Sequence, residues 1–204
     1  MGAIKLGVVV LAAGRSSRMG RPKLVLPWGS TSVIGHIVRQ WTSQGASQVA
    51  IVCAAGDEVM SAELDRIGFP AANRIGNPAP ERGMFSSLQC AAAWSGWGPD
   101  LTHWAIVLGD QPHLRPATLT RLCEFGCSNP GRICQPSLAG RPRHPVLIPR
   151  RFFSRLTGSG CENLKEFLQG HRVALCGLDD PGLDLDIDNP EDYRRALGML
   201  PGNT

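Results

Sequence analysis

Residues 6–23 read LGVVVLAAGRSSRMGRPK. The opening run, Leu6–Ala12, is apolar without interruption, the pattern of a strand buried on both faces. Small residues and cations follow at once. Ala12, Ala13 and Gly14 carry little or no side chain, so backbone N–H groups can come close to a base and its phosphates. Arg15, Arg18, Arg21 and Lys23 then place four cations within nine residues. Guanidinium forks and a lysine point charge suit a polyphosphate. The segment is neither a GxxxxGK[ST] phosphate loop nor a GxGxxG dinucleotide turn. A strand in front and a lysine behind favour phosphate binding over a solvated basic turn.

Working outward, the same unit recurs: a β-branched run, then a helix-period segment. Val33, Ile34, Ile37, Val38 and Trp41 repeat at helical spacing, and Gly45 stops that helix. Gln48–Ala54 is a second buried strand and Glu58–Ile67 a helix. Met84–Trp94 reads as a helix with Leu88 and Ala91 or Ala92 inward. Trp104–Leu108 is a third buried strand, and Ala117–Phe125 a helix. Residues 132–149 hold two short strands around a turn at Ala139–Arg143. Asn163–Leu168 is a short helix and Arg172–Cys176 a strand. Asn189 can cap a last helix, with Pro190 at its first position and Glu191 and Asp192 at its positive end. Strands alternating with helices predict an α/β fold with a mostly parallel sheet flanked by helices.

Ligands of open α/β sheets bind beyond the carboxyl ends of the strands. Two further strand ends carry chemistry there. Gly109-Asp110-Gln111-Pro112 follows a buried strand directly. A carboxylate there can hold a divalent cation that neutralises phosphates, or can serve as a turn residue. In Asp184-Leu185-Asp186-Ile187-Asp188, alternation puts the three acids on one side of a short strand. Like charges on one face call for a cation or for solvent. They read either as a second metal carboxylate or as a solvated edge. Gly83-Met84-Phe85-Ser86-Ser87 opens a helix with two hydroxyls, suited to an anion, a base edge or simple capping. Arg141-Pro142-Arg143-His144-Pro145 is basic and rigid; His144 can bind an anion, give a proton or brace the turn. His36, His103, His113 and His171 read as structural.

Composition sets the bounds. The chain has 204 residues, 43% hydrophobic and 19% charged, which fits one globular domain and excludes a disordered chain. A net charge of +4, without basic runs, calls for neither nucleic acid nor a membrane surface. No apolar stretch is long enough for a membrane span. The first twenty residues superficially resemble a signal peptide, but the apolar run passes straight into glycine and arginine. Seven cysteines at irregular spacing, with a single CxxxC, read as reduced thiols of a cytoplasmic protein rather than as a zinc site.

With these motifs assembled, the chain resembles a known family. LAAGRSSRMGRPK is similar to the LAAGxSxRMGxxK signature of nucleotidyltransferases. Asn77–Leu88 (NPAPERGMFSSL), GDQP, RPRHPVLIP and DLDIDNPEDY resemble that family's remaining segments. The match is to the MobA-like NTP transferases, and most to the molybdenum cofactor cytidylyltransferase (MocA-like) branch. It implies one Rossmann-like nucleotidyltransferase domain over residues 1–204. The implied reaction is attack of an acceptor phosphate on the α-phosphate of an NTP, with release of pyrophosphate. Leu11, Ala12, Ala13, Gly14, Arg15, Gly83, Ser86 and Ser87 would lie at the nucleotide. Arg18 and Lys23 would hold the triphosphate and, with Asp110, carry catalysis. Mg²⁺ would sit on Asp110, helped by Asp186 or alternatively Asp188. Arg141, Arg143 and His144 would face the acceptor. The LAAG form resembles CTP-using members, which makes CTP and a molybdopterin-type acceptor the expected substrates and a molybdoenzyme or its chaperone an expected partner. GTP, a sugar or polyol phosphate acceptor, and a non-catalytic nucleotide-binding or cofactor-delivery module are the alternatives. The chain departs from the pattern at Arg143, where the family often has glycine, and at Asn189, which replaces threonine.

Overall fold

One mixed sheet forms the middle layer of the computed structural model, which describes residues 4–14, 16 and 18–200. Its strands are β1 (Leu6–Leu11), β4 (Gln48–Ala54), β5 (Arg74–Asn77), β6 (His103–Leu108), β7 (Ile133–Leu138), β8 (Arg141–Pro142), β9 (Val146–Pro149) and β10 (Val173–Gly177). The order is β10-β7-β9-β6-β1-β4-β5, with β8 paired to β7. A separate ribbon pairs β2 (Pro27–Trp28) with β3 (Thr31–Ser32). The pairs β1–β4, β1–β6, β4–β5 and β7–β10 are parallel. Strand β9 runs against both β6 and β7. The expected mostly parallel sheet flanked by helices, of Rossmann-like type, is the fold observed.

Alternation along β1 assigns the two cores. Val8 and Val10 face one side, with α1 (Val33–Ser43), α2 (Glu58–Arg66), α4 (Pro116–Ser128) and α7 (Pro190–Leu197). Val9 faces the other, with α3 (Met84–Ala93), α5 (Arg150–Phe153) and α6 (Leu164–Gln169). Burial on both faces explains why the strand has no polar position. Helix α1 buries Ile34, Ile37 and Trp41, each contributing roughly 1.5–3 kcal/mol. Ser32 caps it by accepting from the Gly35 N–H, and Gly45 leaves it at φ +80°. Asn189 caps α7 through the N–H groups of Glu191 and Asp192.

Three sequence expectations need correction. Strand β5 has no counterpart in the expected elements, because its four residues are too few for a pattern. Two strands were expected between residues 132 and 149, and three form, since Arg141 and Pro142 fold back on β7. Asp184–Asp188 is not a strand: Pro181–Asp184 is a 3₁₀ turn and the rest is irregular. The predicted alternation survives as burial, with Leu185 and Ile187 inside. No neighbouring strand offers these residues a ladder. They are instead stitched to the loop after β6.

The seven cysteines are all unpaired. Burial pushes the Cys53 thiol up to about 12, so it is a packing residue rather than a nucleophile. Among the described residues, no helix is long and apolar enough to cross a membrane.

Candidate active site

The chain places β4 and β5 on one side of β1 and then crosses to place β6 on the other. The carboxyl ends of β1 and β6 therefore lie side by side, with Leu11 opposite Leu108, at the point where strand order reverses. This is where an α/β sheet leaves a crevice. A cleft of about 540 Å³ opens there. Leu11, Ala13 and Gly14 form one wall, Gly109 and Asp110 the floor, and Pro80, Glu81, Gly83, Met84 and Ser87 the facing wall. Close approach is enforced at Gly109, where an added Cβ would lie 2.7 Å from the Leu11 carbonyl oxygen. Gly83 has φ +85°, which lets the chain turn into α3 with that helix's first N–H groups at the cleft.

The loop after β1 is shaped by its own residues. The Met19 N–H donates to the Ser16 carbonyl at 3.1 Å, and Met19 is buried in the core. The Lys23 N–H donates to Ser16 Oγ at 3.0 Å, closing the loop. Lys23 is thereby aimed at the end of β6. Its Nζ donates to Asp110 Oδ2 at 2.6 Å and to Asp188 Oδ1 at 3.3 Å. Arg18 pairs with Asp188 Oδ2 at 2.9 Å. Arg15 lies outside the described residues.

Asp110, which lines the cleft, has Asp186 and Asp188 near it, but the three do not form a shared cage. Among the described residues no group of three acids, histidines or cysteines is arranged to hold a metal. Each acid is engaged separately. Asp110 and Asp188 hold Lys23, whereas Asp186 Oδ1 accepts from Gln111 Nε2 at 2.9 Å. Burial, then the charge of Asp110, raises the Asp186 carboxyl above the ordinary range, a cost that a cation would relieve. Asp110 Oδ1 is buried without a hydrogen-bond partner among the described residues. An acceptor-only oxygen left bare beside a second carboxylate fits a divalent cation.

A second cavity, about 300 Å³, adjoins across Leu108. Gln111, Pro142, Arg143, His144, Asp184 and Asp186 line it. Arg143 donates to Asp184 and to the Pro142 carbonyl. Burial holds His144 below its ordinary value, so its imidazole is neutral at pH 7. Arg141 stays exposed on β8 outside this cavity's lining. Ser86 lines a third cavity, beside Ser159–Glu162, and is not in the lining of the first cleft.

Sequence reading passed over several contributors. Glu81 and Met84 line the cleft, yet an exposed acid and a methionine carry no signal by themselves. Asp180 is 2% exposed and ties the C-terminal segment down. It accepts from the Thr118 hydroxyl at 2.6 Å and from the Arg115 and Gly182 N–H groups. The Ile187 N–H donates to the Asp110 carbonyl at 3.1 Å, and His113 Nε2 meets the Gly182 carbonyl at 3.0 Å. Apart from the local Asp180–Gly182 contact, these join residues more than sixty apart, which no local pattern reveals.

The chain is 25% identical to the molybdenum cofactor cytidylyltransferase of Escherichia coli K12 over 191 residues, covering 92% of this chain and 93% of that one. It is 34% identical to the molybdenum cofactor guanylyltransferase of Rhizobium johnstonii over 138 residues, 68% of this chain and 59% of that one. Among solved structures, Rv0371c of Mycobacterium tuberculosis superposes with a TM-score of 0.77 at 29% identity, covering 96% of this chain and 99% of that chain. A second structure of Rv0371c, a manganese complex, gives 0.71 at 27% identity, covering 96% and 100%. The family model for the MobA-like NTP transferase domain matches residues 8–175, which take in the strand, the basic loop, the Asp110 turn and the His144 loop. A cleft at the strand-order reversal, walled by small residues and floored by a lysine–carboxylate cluster, is thus carried by a chain that belongs to the MobA-like NTP transferase family.

Proposed function

We propose that this nucleotidyltransferase joins CTP to the phosphate of a molybdopterin-type acceptor within one domain, releasing pyrophosphate. The observation that carries the reading is Lys23, held between Asp110 and Asp188 at the mouth of the Leu11–Gly14 cleft. That cluster stands where the triphosphate of a nucleotide in the cleft would meet an acceptor from the neighbouring cavity. The acceptor's phosphate oxygen forms a bond to the α-phosphorus, and the bond from that phosphorus to the bridging oxygen of pyrophosphate breaks. A phosphate monoester is already anionic near neutral pH, so no hydroxyl needs to be activated. The chain's work is positioning and charge neutralisation.

Lys23, together with Arg18, would leave the carboxylates for the polyphosphate and stabilise charge on the departing pyrophosphate. Asp110, with Asp186 and alternatively Asp188, would hold a divalent cation, Mg²⁺ in the cell. When bound, the cation neutralises phosphate oxygens and orients the displacement. Arg143 and His144, with Arg141 at the rim, would receive the anionic acceptor. Leu11, Ala12, Ala13 and Gly14 would enclose the base.

The LAAG form and the full-length match to the E. coli enzyme favour CTP. The higher identity to a guanylyltransferase over the shorter stretch supports GTP as the second reading. Pyrophosphate release with Mg²⁺, molybdenum cofactor and each of CTP, GTP, ATP and UTP separates them. Release with CTP alone is expected. Release with GTP alone replaces the base assignment, and release with none rejects the acceptor.

A further inference from the structure

Asn77 closes β5 and is 1% exposed, so its carboxamide must be satisfied from within the protein. The backbone N–H of Ala79 lies 2.9 Å from one end of it. An N–H can only donate, so that end is Oδ1 and the other is Nδ2. Nδ2 then donates to Ser86 Oγ and to Ser87 Oγ, each at 2.9 Å. Both serine oxygens are fixed as acceptors, and each hydroxyl proton must go elsewhere. The Ser86 proton has acceptors close by: the Gly83 carbonyl at 2.8 Å or the Ala79 carbonyl at 3.1 Å. The Ser87 hydroxyl has no such acceptor among the described residues. Ser87 lines the nucleotide cleft, whereas Ser86 faces the other cavity.

We infer that Asn77 is a positioning residue that holds the Ser87 hydroxyl as a hydrogen-bond donor into the cleft, toward a carbonyl oxygen or ring nitrogen of the bound nucleoside. This rests on the nucleotidyl-transfer reading. A free serine hydroxyl on a helix can turn its proton back to the helix's own carbonyls. Ser86 does so although it accepts from Nδ2; Ser87, held by Nδ2 where no carbonyl of the described residues is in hydrogen-bond reach, keeps its proton for the ligand. The pair of serines thus divides one amide: Ser86 secures the turn into α3 and Ser87 reads the nucleoside.

Asn77→Asp tests this. One carboxylate oxygen keeps the Ala79 N–H, while the other becomes an acceptor and draws the Ser87 proton out of the cleft. Calorimetric titration with Mg²⁺–CTP and Mg²⁺–GTP would compare the parent, S87A, N77D and N77D/S87A, with melting temperatures alongside. For the nucleotide the parent binds, S87A and N77D are each expected to weaken affinity about five- to tenfold, one neutral hydrogen bond. N77D/S87A should be no weaker than N77D, and S87T should restore binding. N77S, too short to reach either serine, should weaken binding in the same direction and serves if N77D does not fold. Parental affinity in a folded N77D, even with a lowered melting temperature, overturns the inference alone. So does a full further loss on adding S87A to N77D. A folded parent that binds neither nucleotide overturns it together with the reading beneath it.

Discussion

Lys23 holds two carboxylates at once, and its Nζ is the cation that a polyphosphate would have to win. Side-chain exposures of 16% for Lys23 and 20% for Asp110 keep the pair partly screened from water, where charge interactions are stronger than at the surface. Lys23→Ala should lower turnover more than it raises the half-saturation for NTP, because charge grows on the departing pyrophosphate during the reaction. A change in half-saturation alone would make the lysine a uniform binding contact. Asp110→Ala should cost at least about a hundredfold in turnover, the scale of a lost preorganised electrostatic group. Steady-state pyrophosphate release measures both, and near-normal turnover in the alanine variant would remove Asp110 from the metal assignment. The residue types were legible in the chain itself: a basic loop after one strand and an acid after another. Their pairing was not, because 87 positions separate Lys23 from Asp110 and 165 separate it from Asp188.

At the level of elements, the site depends on how closely β1 and β6 approach at their ends. The Gly109 N–H donates to the Leu11 carbonyl at 3.1 Å, and Leu24 presses on the same glycine. Gly109→Ala should therefore destabilise the fold by about 1–3 kcal/mol, since backbone must shift to admit the methyl group. Denaturant unfolding of this variant beside Gly158→Ala, which has open space around it, checks the claim: only the first should lose stability. Long, strongly patterned elements such as β1, β4, α1 and α7 were readable because burial on two faces, helical periodicity and caps all leave local marks. The two-residue β8 and four-residue β5 leave none. The acidic segment misled for a related reason: alternation reports which side is buried, and it cannot tell a paired strand from an extended segment pinned by side chains.

Across the whole molecule, four histidines are carried neutral in the fold. Burial lowers His36, His103, His113 and His144 below the unfolded value of 6.5. Below pH 6.5 the unfolded chain therefore binds more protons than the folded one, and stability must fall as pH falls toward the folded values. Denaturant midpoints should drop between pH 8 and pH 5.5, above the range where most carboxylates titrate, and His103→Gln should flatten that slope. A flat profile would place these imidazoles in contact with solvent. The sequence by itself determined the α/β class, the buried strands, the basic loop and the reaction family, because strand periodicity, caps and short motifs are properties of neighbouring residues. The tertiary structure alone decided that β1 and β6 meet at the reversal of strand order, that Lys23 stands between Asp110 and Asp188, and that Asn77 sets the two serines apart. The first two are contacts between distant segments, and the third joins side chains nine and ten residues apart across the turn from β5 into α3. Their geometry follows from the packing of the sheet and its two helical layers, which no local pattern encodes.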